Sequence, residues 1–446
     1  MPREPFEVIT AERDRAVLVG IERPRSDGWT LEDDLAELER LVDTAGPLVV
    51  GTITQRLNRP DPRTFIGAGK AAEVERLAAQ THANVVVFDE DLSPSQQANL
   101  EGLLPQVRVI DRTQLILDIF ALHATSHEGK LQVELARLEY LLPRLRGMWG
   151  HLDRERLGGG RGARFGAGES QLETDRRLTR RRIAEIKREL KAVARARATQ
   201  RAARARSGVF RVALVGYTNA GKSTLLNALT DAGVLVQDQL FATLDATTRR
   251  LELPDGRVVT LTDTVGFINK LPHGLVEAFK STLDEVREAD LLLHVVDAAH
   301  PNAQAQIAAV RTVLDEIGVA DKPQLLVFNK ADLLDSETRA RLESAAGTVT
   351  VAAARGEGLD VLLARIAAIA AAGSSTLTVL IPYDRGDLVQ VAHERAHVQS
   401  EEHTASGTLL TMSAPAELVA RFEPYAVPRG ETRPSADRAQ PPARDE

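Results

Sequence analysis

Apolar residues recur along this chain in three rhythms. In the first 125 residues, short apolar runs at 15–21, 47–54, 84–89 and 107–110 alternate with stretches at 31–42, 71–80 and 93–104 that carry apolar residues at helical spacing. Strand and helix in alternation predict a small α/β unit with a parallel sheet. From residue 126 the rhythm changes. Leu131, Leu135, Leu138, Leu142 and Leu145, and later Ile183, Ile186, Leu190 and Val193, keep three- and four-residue spacing, which predicts an antiparallel helical hairpin over 126–206. Beyond 207, apolar strands again alternate with helices. The last ordered stretch reads as strand (376–382), helix (386–398), strand (408–413) and helix (414–424). The Pro- and charge-rich end, 429–446, is expected to be disordered. The pattern therefore divides the chain at 1–125, 126–206, 207–373, 374–428 and 429–446.

The apolar strand Val212-Ala-Leu-Val-Gly216 runs into Tyr217-Thr218-Asn219-Ala220-Gly221-Lys222-Ser223 and then a helix-forming run. This is G-x-x-x-x-G-K-S in the strand–loop–helix setting of a phosphate-binding P-loop. Its backbone amides and the helix N-terminus would hold phosphates, Lys222 would reach the β- and γ-phosphates, and Ser223 would hold Mg2+. A second apolar strand ends in Asn329-Lys330-Ala331-Asp332. The Asp332 carboxylate can accept from guanine N1–H and the 2-amino group, donors that adenine lacks, so the wrong base leaves a buried acceptor unpaired. Between them, Asp263-Thr264-Val265-Gly266 ends a strand; Asp263 would hold Mg2+ through water, and Gly266 N–H would approach the γ-phosphate. The segment Phe241-Ala242-Thr243-Leu244-Asp245 reads as the first switch. Thr243 is the expected second hydroxyl on Mg2+, with Thr247 and Thr248 as competitors. These patterns predict a GTPase domain with a mostly parallel sheet, in which Lys222, Thr243 and Gly266 act on the reaction. Phe267 follows Gly266 where many GTPases place a water-orienting glutamine, which predicts slow hydrolysis by the isolated chain.

Charge changes this picture locally. The chain has 446 residues, a net charge of −7 and no cysteine, which excludes disulfides and thiolate metal sites. No apolar run is long enough to span a membrane, so the cytoplasm is the expected location, with peripheral membrane association left open. Yet residues 176–206 hold thirteen Lys/Arg against two Glu. Such a surplus points to RNA phosphates, with Arg176, Arg177, Arg180 and Arg181 as candidate contacts. Arg161 and Arg164, among six glycines between 158 and 168, are further candidates in a loop that would order on RNA.

Gln55-Arg56 followed by Phe65-Ile-Gly-Ala-Gly-Lys70, the glycine loop, Gln171-Leu-Glu-Thr-Asp-Arg-Arg177 and the GTPase motifs together resemble HflX-type GTPases over residues 10–428. The resemblance implies an enzyme that binds the large ribosomal subunit and its RNA in the GTP state; a monomer is expected. It also implies that the enzyme splits or rescues stalled ribosomes and hydrolyses GTP to GDP under ribosomal stimulation. A GTP-gated RNA-binding or assembly module is the alternative. In this family's guanine lid a Ser-Ala pair corresponds to Ala352 and Ala353 here, followed by Ala354; the Ala353 N–H is expected to meet guanine O6. One motif points elsewhere: His393-Glu394-Arg-Ala-His397 matches H-E-x-x-H, a zinc-hydrolase pattern if both imidazoles share one helix face.

Overall fold

Six consecutive buried residues in β1 (Arg15–Glu22) can be satisfied only by a strand covered on both faces. The computed structural model describes residues 14–23, 28–145, 167–206, 209–230, 240–241, 243–270, 280–372 and 374–427. Around β1 follow α1 (Leu31–Ala45), β2 (Leu48–Arg56), α2 (Ala68–Thr81), β3 (Val85–Phe88), α3 (Pro94–Leu103), β4 (Arg108–Asp111) and α4 (Arg112–His123). The sheet has the order β2-β1-β3-β4 and is parallel throughout. Local signals start the helices where expected. Thr30 and Asp33 form a capping box on α1, Ser93 and Gln96 form one on α3, and Gly46 closes α1 in the left-handed region. Helix α4 was not legible in the pattern, because Leu115, Ile116, Leu117, Ile119 and Phe120 are all buried and leave no polar stripe to set a period.

The next pair is α5 (His127–Leu141) and α6 (Ala167–Arg206). Helix α6 begins nine residues before the basic run and takes in Gln171 to Asp175, which follow the glycine loop. Glu, Gln, Leu and Arg there are good helix formers, and the acidic Glu169 and Glu173 suit a helix N-terminus. Glu128, Glu134 and Glu139 of α5 pair with Arg197, Arg182 and Lys187 of α6.

The second sheet takes β5 (Arg211–Gly216), β6 (Thr247–Glu252), β7 (Val258–Asp263), β8 (Leu291–Asp297), β9 (Gln324–Asn329) and β10 (Thr348–Thr350), in the order β10-β9-β8-β5-β7-β6. The pairs β5–β8, β8–β9 and β9–β10 are parallel. Its helices are α7 (Lys222–Thr230), α8 (Lys280–Glu288), α9 (Ala303–Glu316) and α10 (Ser336–Glu343).

The chain divides into two compact units. One holds 1–198, 211–249 and 261–359; the other holds 199–210, 250–260 and 360–446. In the first, one core unites Leu18, Leu38 and Phe120 with Val215, Phe241 and Phe267. The second contains α11 (Leu359–Ala372), β11 (Ser374–Ile381), α12 (Gly386–Arg395), β12 (His397–Thr404), β13 (Gly407–Pro415) and α13 (Ala416–Phe422), with an antiparallel sheet in the order β11-β13-β12.

That second unit corrects the H-E-x-x-H reading. The helix stops at Arg395, Ala396 is extended, and His397 opens β12, a strand the pattern did not predict. His393 Nε2 lies 2.9 Å from the Glu401 carboxylate, not opposite His397 on a shared helix face. Among the described residues no cluster of three or more His, Asp or Glu could hold a metal. Pairing with β13 outcompetes continuation of a short amphipathic helix, and the zinc-hydrolase reading falls with it.

Candidate functional site

Gly221 sits at φ +90°, and a Cβ there would stand 2.2 Å from Asn329 Nδ2, so only glycine lets the P-loop and the β9 terminus meet. Asn329 fastens both sides: its Nδ2 donates to Ala220 O (3.0 Å) and its Oδ1 accepts from Ala353 N–H (3.1 Å). The loop is also stitched to the segment after Gly266. Thr218 N–H donates to Phe267 O (2.7 Å), and Phe267 N–H donates to Gly216 O (3.1 Å).

Lys222 is buried, its Nζ donating to Gly216 O (3.2 Å) and Tyr217 O (2.9 Å). Burial pulls its pKa down to about 8, with Asp263 opposing the shift. Asp263 is buried at the end of β7, and burial raises its pKa against the pull of Lys222. Each group is expensive to keep charged in this pocket, and phosphates with a cation would compensate both.

The Lys222 shift has a measurable consequence. The folded chain loses this proton near pH 8, whereas an unfolded lysine holds it to ~10.4. Between those values the unfolded state binds more protons, so stability rises with pH. Lys222→Met removes the effect. In urea unfolding without nucleotide, the stability gap between this variant and the parent is expected to shrink by up to ~3 kcal/mol from about pH 7.5 to pH 10.

Three oxygens meet beside Lys222. Ser223 Oγ lies 2.8 Å from Thr243 Oγ1 and 2.6 Å from Asp263 Oδ2, and Thr243 Oγ1 lies 3.2 Å from the same carboxylate. Asp263 Oδ1 is buried and has no hydrogen-bond partner among the described residues. Hard oxygen donors with one unsatisfied carboxylate oxygen fit Mg2+. Thr248 is excluded from the cluster, since its hydroxyl meets Thr262 2.9 Å away between β6 and β7; Thr247 begins β6. Of the three candidates, Thr243 is the one whose hydroxyl lies beside Ser223 and Asp263. Gly266 closes the pocket, where a Cβ would come 2.8 Å from Thr218 Cα and 3.0 Å from Lys222 Nζ.

Several expected contacts take other partners. Asp245 turns its carboxylate to the start of α5, where the N–H and hydroxyl groups of both Thr125 and Ser126 donate to it. These bonds lower its pKa against the opposing effect of burial, and they turn the side chain of this switch residue toward α5. Phe241 and Leu244 are buried in the shared core, Phe241 edge-on to Phe120 at 4.6 Å. Ala353 N–H, expected to meet guanine O6, donates here to Asn329 Oδ1, and Ala354, Arg355 and Gly356 beyond it are exposed. Asp332 lies 3.2 Å from the Arg355 guanidinium, and Lys330 Nζ lies 2.6 Å from Asp297. Ala331 is buried behind them, and Ala352 is sealed against Glu357. The Thr264 hydroxyl donates to Leu214 O (2.6 Å), and Val265 is buried. Phe267 is 1% exposed, a core residue rather than one facing the phosphate pocket. Asn219 takes the left-handed region at φ 59°. Ala242, Arg161 and Arg164 lie outside the described residues.

Sequence reasoning missed the shell behind the P-loop. The Tyr217 hydroxyl donates to Glu37, accepts from Asn269 N–H (2.6 Å), and its ring stacks on Trp29. Buried Arg112 donates to Glu37, Asp89 (2.7 Å) and Asn269 O (3.1 Å), and Lys270 joins Asp34 (3.1 Å), Asp89 and Glu90 (2.9 Å). Ser126 before a helix start is a signal that sequence carries, but its pairing with the switch residue Asp245 is not.

Comparison with known proteins places this geometry. Three family models match in succession: a GTP-binding GTPase N-terminal region over 32–121, a GTP-binding GTPase middle region over 123–204, and a 50S ribosome-binding GTPase over 211–330. GTPase HflX of Lacrimispora saccharolytica is 45% identical over 91% of this chain and 95% of its own length. GTPase HflX of Caldanaerobacter subterraneus is 43% identical over 95% and 96%. That of Escherichia coli is 54% identical over 68% and 70%.

Proposed function

The chain belongs to the HflX family of GTPases, and from that premise we propose that its GTP-bound form docks on the large ribosomal subunit to dissociate or rescue stalled ribosomes. Hydrolysis is then accelerated by the ribosome and resets the cycle. The observation that carries this reading is Phe267. The phosphate pocket has its lysine and its oxygen cluster, yet the residue after Gly266 is a buried phenyl ring that cannot orient water. A partner must supply that part. The surface of α6 suits one rich in phosphate: Arg177, Arg180 and Arg181 are exposed, and Arg176 is half-buried.

In this reading the P-loop amides from Gly216 to Ser223 hold the phosphates, and Lys222 stabilises charge on the β- and γ-phosphates. Ser223 and Thr243 would hold Mg2+, with Asp263 contributing through water, and the ion would neutralise phosphate charge. Gly266 N–H meets the γ-phosphate. Asp332 reads the base from Asn329-Lys330-Ala331-Asp332, and the 352–354 turn closes over it. Loss of the γ-phosphate releases Thr243 and Gly266.

The test is steady-state GTP hydrolysis with and without purified large subunits. A stimulation of tenfold or more, about 1.4 kcal/mol of barrier, is expected, and it should vanish in Lys222→Ala and Asn329→Ala. An unchanged slow rate would sink ribosomal activation. Sucrose-gradient sedimentation of 70S particles with the GTP-loaded chain separates splitting from binding alone, the outcome of a gated RNA-binding module.

A further inference from the structure

Thr243 is the one member of the oxygen cluster that belongs to no helix or strand. Ser223 lies in α7 and Asp263 ends β7, whereas Thr243 lies in the irregular segment before β6. Buried Phe241 and Leu244 tie its segment to the core, and two residues on, Asp245 adds a directional attachment. Its carboxylate accepts from Thr125 N–H (3.1 Å), Thr125 Oγ1 (2.8 Å), Ser126 N–H (2.7 Å) and Ser126 Oγ. Ser126 Oγ in turn accepts from Gly129 N–H (2.8 Å), capping α5. The fit is tight, for a Cβ on Gly129 would lie 2.5 Å from Asp245 Oδ1. Charge-assisted bonds of this kind are the stronger ones, and four on one carboxylate define both its place and its orientation.

We propose that Asp245 is a positioning residue for GTP hydrolysis: anchored on the N-terminus of α5, it holds the switch segment so that Thr243 meets Ser223 and Asp263. The inference rests on the reading of Thr243 as a Mg2+ ligand in the GTP state. It adds a consequence, because whatever displaces α5 also displaces that ligand. Helix α5 is ion-paired to the basic α6 through Glu128–Arg197 (2.9 Å), so the anchor links the magnesium position to the surface offered to RNA.

The experiment uses the full chain and measures the Mg2+ concentration that half-saturates binding of fluorescent GMPPNP, with GDP affinity and amide exchange alongside. Asp245→Ala is expected to raise that midpoint about tenfold while GDP affinity stays within about twofold. Exchange at residues 126–130 should accelerate. Ser126→Ala should move the midpoint in the same direction by less, and adding it to Asp245→Ala should change nothing further, because the two act as one contact. Gly129→Ala, which crowds the carboxylate without removing it, guards against a folding defect in Asp245→Ala. A midpoint unmoved in Asp245→Ala but raised in Thr243→Ala would overturn the anchor alone. One unmoved in Thr243→Ala would overturn the reading of Thr243 and the anchor with it.

Discussion

Replacing Lys222 by alanine is expected to lower kcat/KM for GTP by about a thousandfold, some 4 kcal/mol of transition-state stabilisation. The size follows from the setting. The amine is buried, held by the carbonyls of Gly216 and Tyr217, and faces Asp263 across a pocket that excludes water. Positive charge in such a place acts on phosphate oxygens without solvent screening, and its desolvation cost has already been met by the fold. Alanine leaves the loop stitched by Asn329 and Phe267, so thermal stability without nucleotide should not fall. Single-turnover hydrolysis, read with a melting curve, checks both. Activity within tenfold of the parent would remove Lys222 from the reaction.

The second large effect concerns Arg112. Arg112→Met is expected to cost about 3–5 kcal/mol of stability, because buried Glu37 would lose its cation and buried Asp89 would keep only Lys270. Burial pushes both carboxyl groups above the ordinary carboxylate range, with Arg112 the first group opposing it. Once Arg112 is gone, each would be protonated at still higher pH. The loss should therefore be full above these raised pKa values and shrink as the pH falls through them, where protonation relieves the unpaired charge. Urea unfolding at neutral and acidic pH tests this. An equal loss at both would mean that packing, not charge, is what Arg112 supplies. Since Arg112 also donates to Asn269 O, just past Phe267, the variant should weaken nucleotide binding as well.

How much was legible in advance depended on range. The P-loop, Asp263 to Gly266 and Asn329 to Asp332 are short patterns at strand ends, where chemistry is specified by residues a few positions apart. The parallel N-terminal sheet followed from the same local rhythm, and capping residues marked several helix starts. What escaped was whatever paired across distance. Helix α4 shows no clear period because five apolar residues between Leu115 and Phe120 are all buried. His397 left its helix because β13, later in the chain, offered a strand to pair with. Ala353 could not be seen to spend its N–H on Asn329.

The sequence by itself determined that this chain binds and hydrolyses GTP, since the strand, glycine loop, lysine and Asn329–Asp332 motif lie within continuous segments. Only the tertiary structure decided which threonine joins Ser223 and Asp263, and what holds it there. Asp245 and Ser126 are 119 positions apart, and Arg112 and Asn269 are 157 apart. No local propensity encodes such a contact. It exists because burying a charge demands a partner, and the folded core brings one within reach.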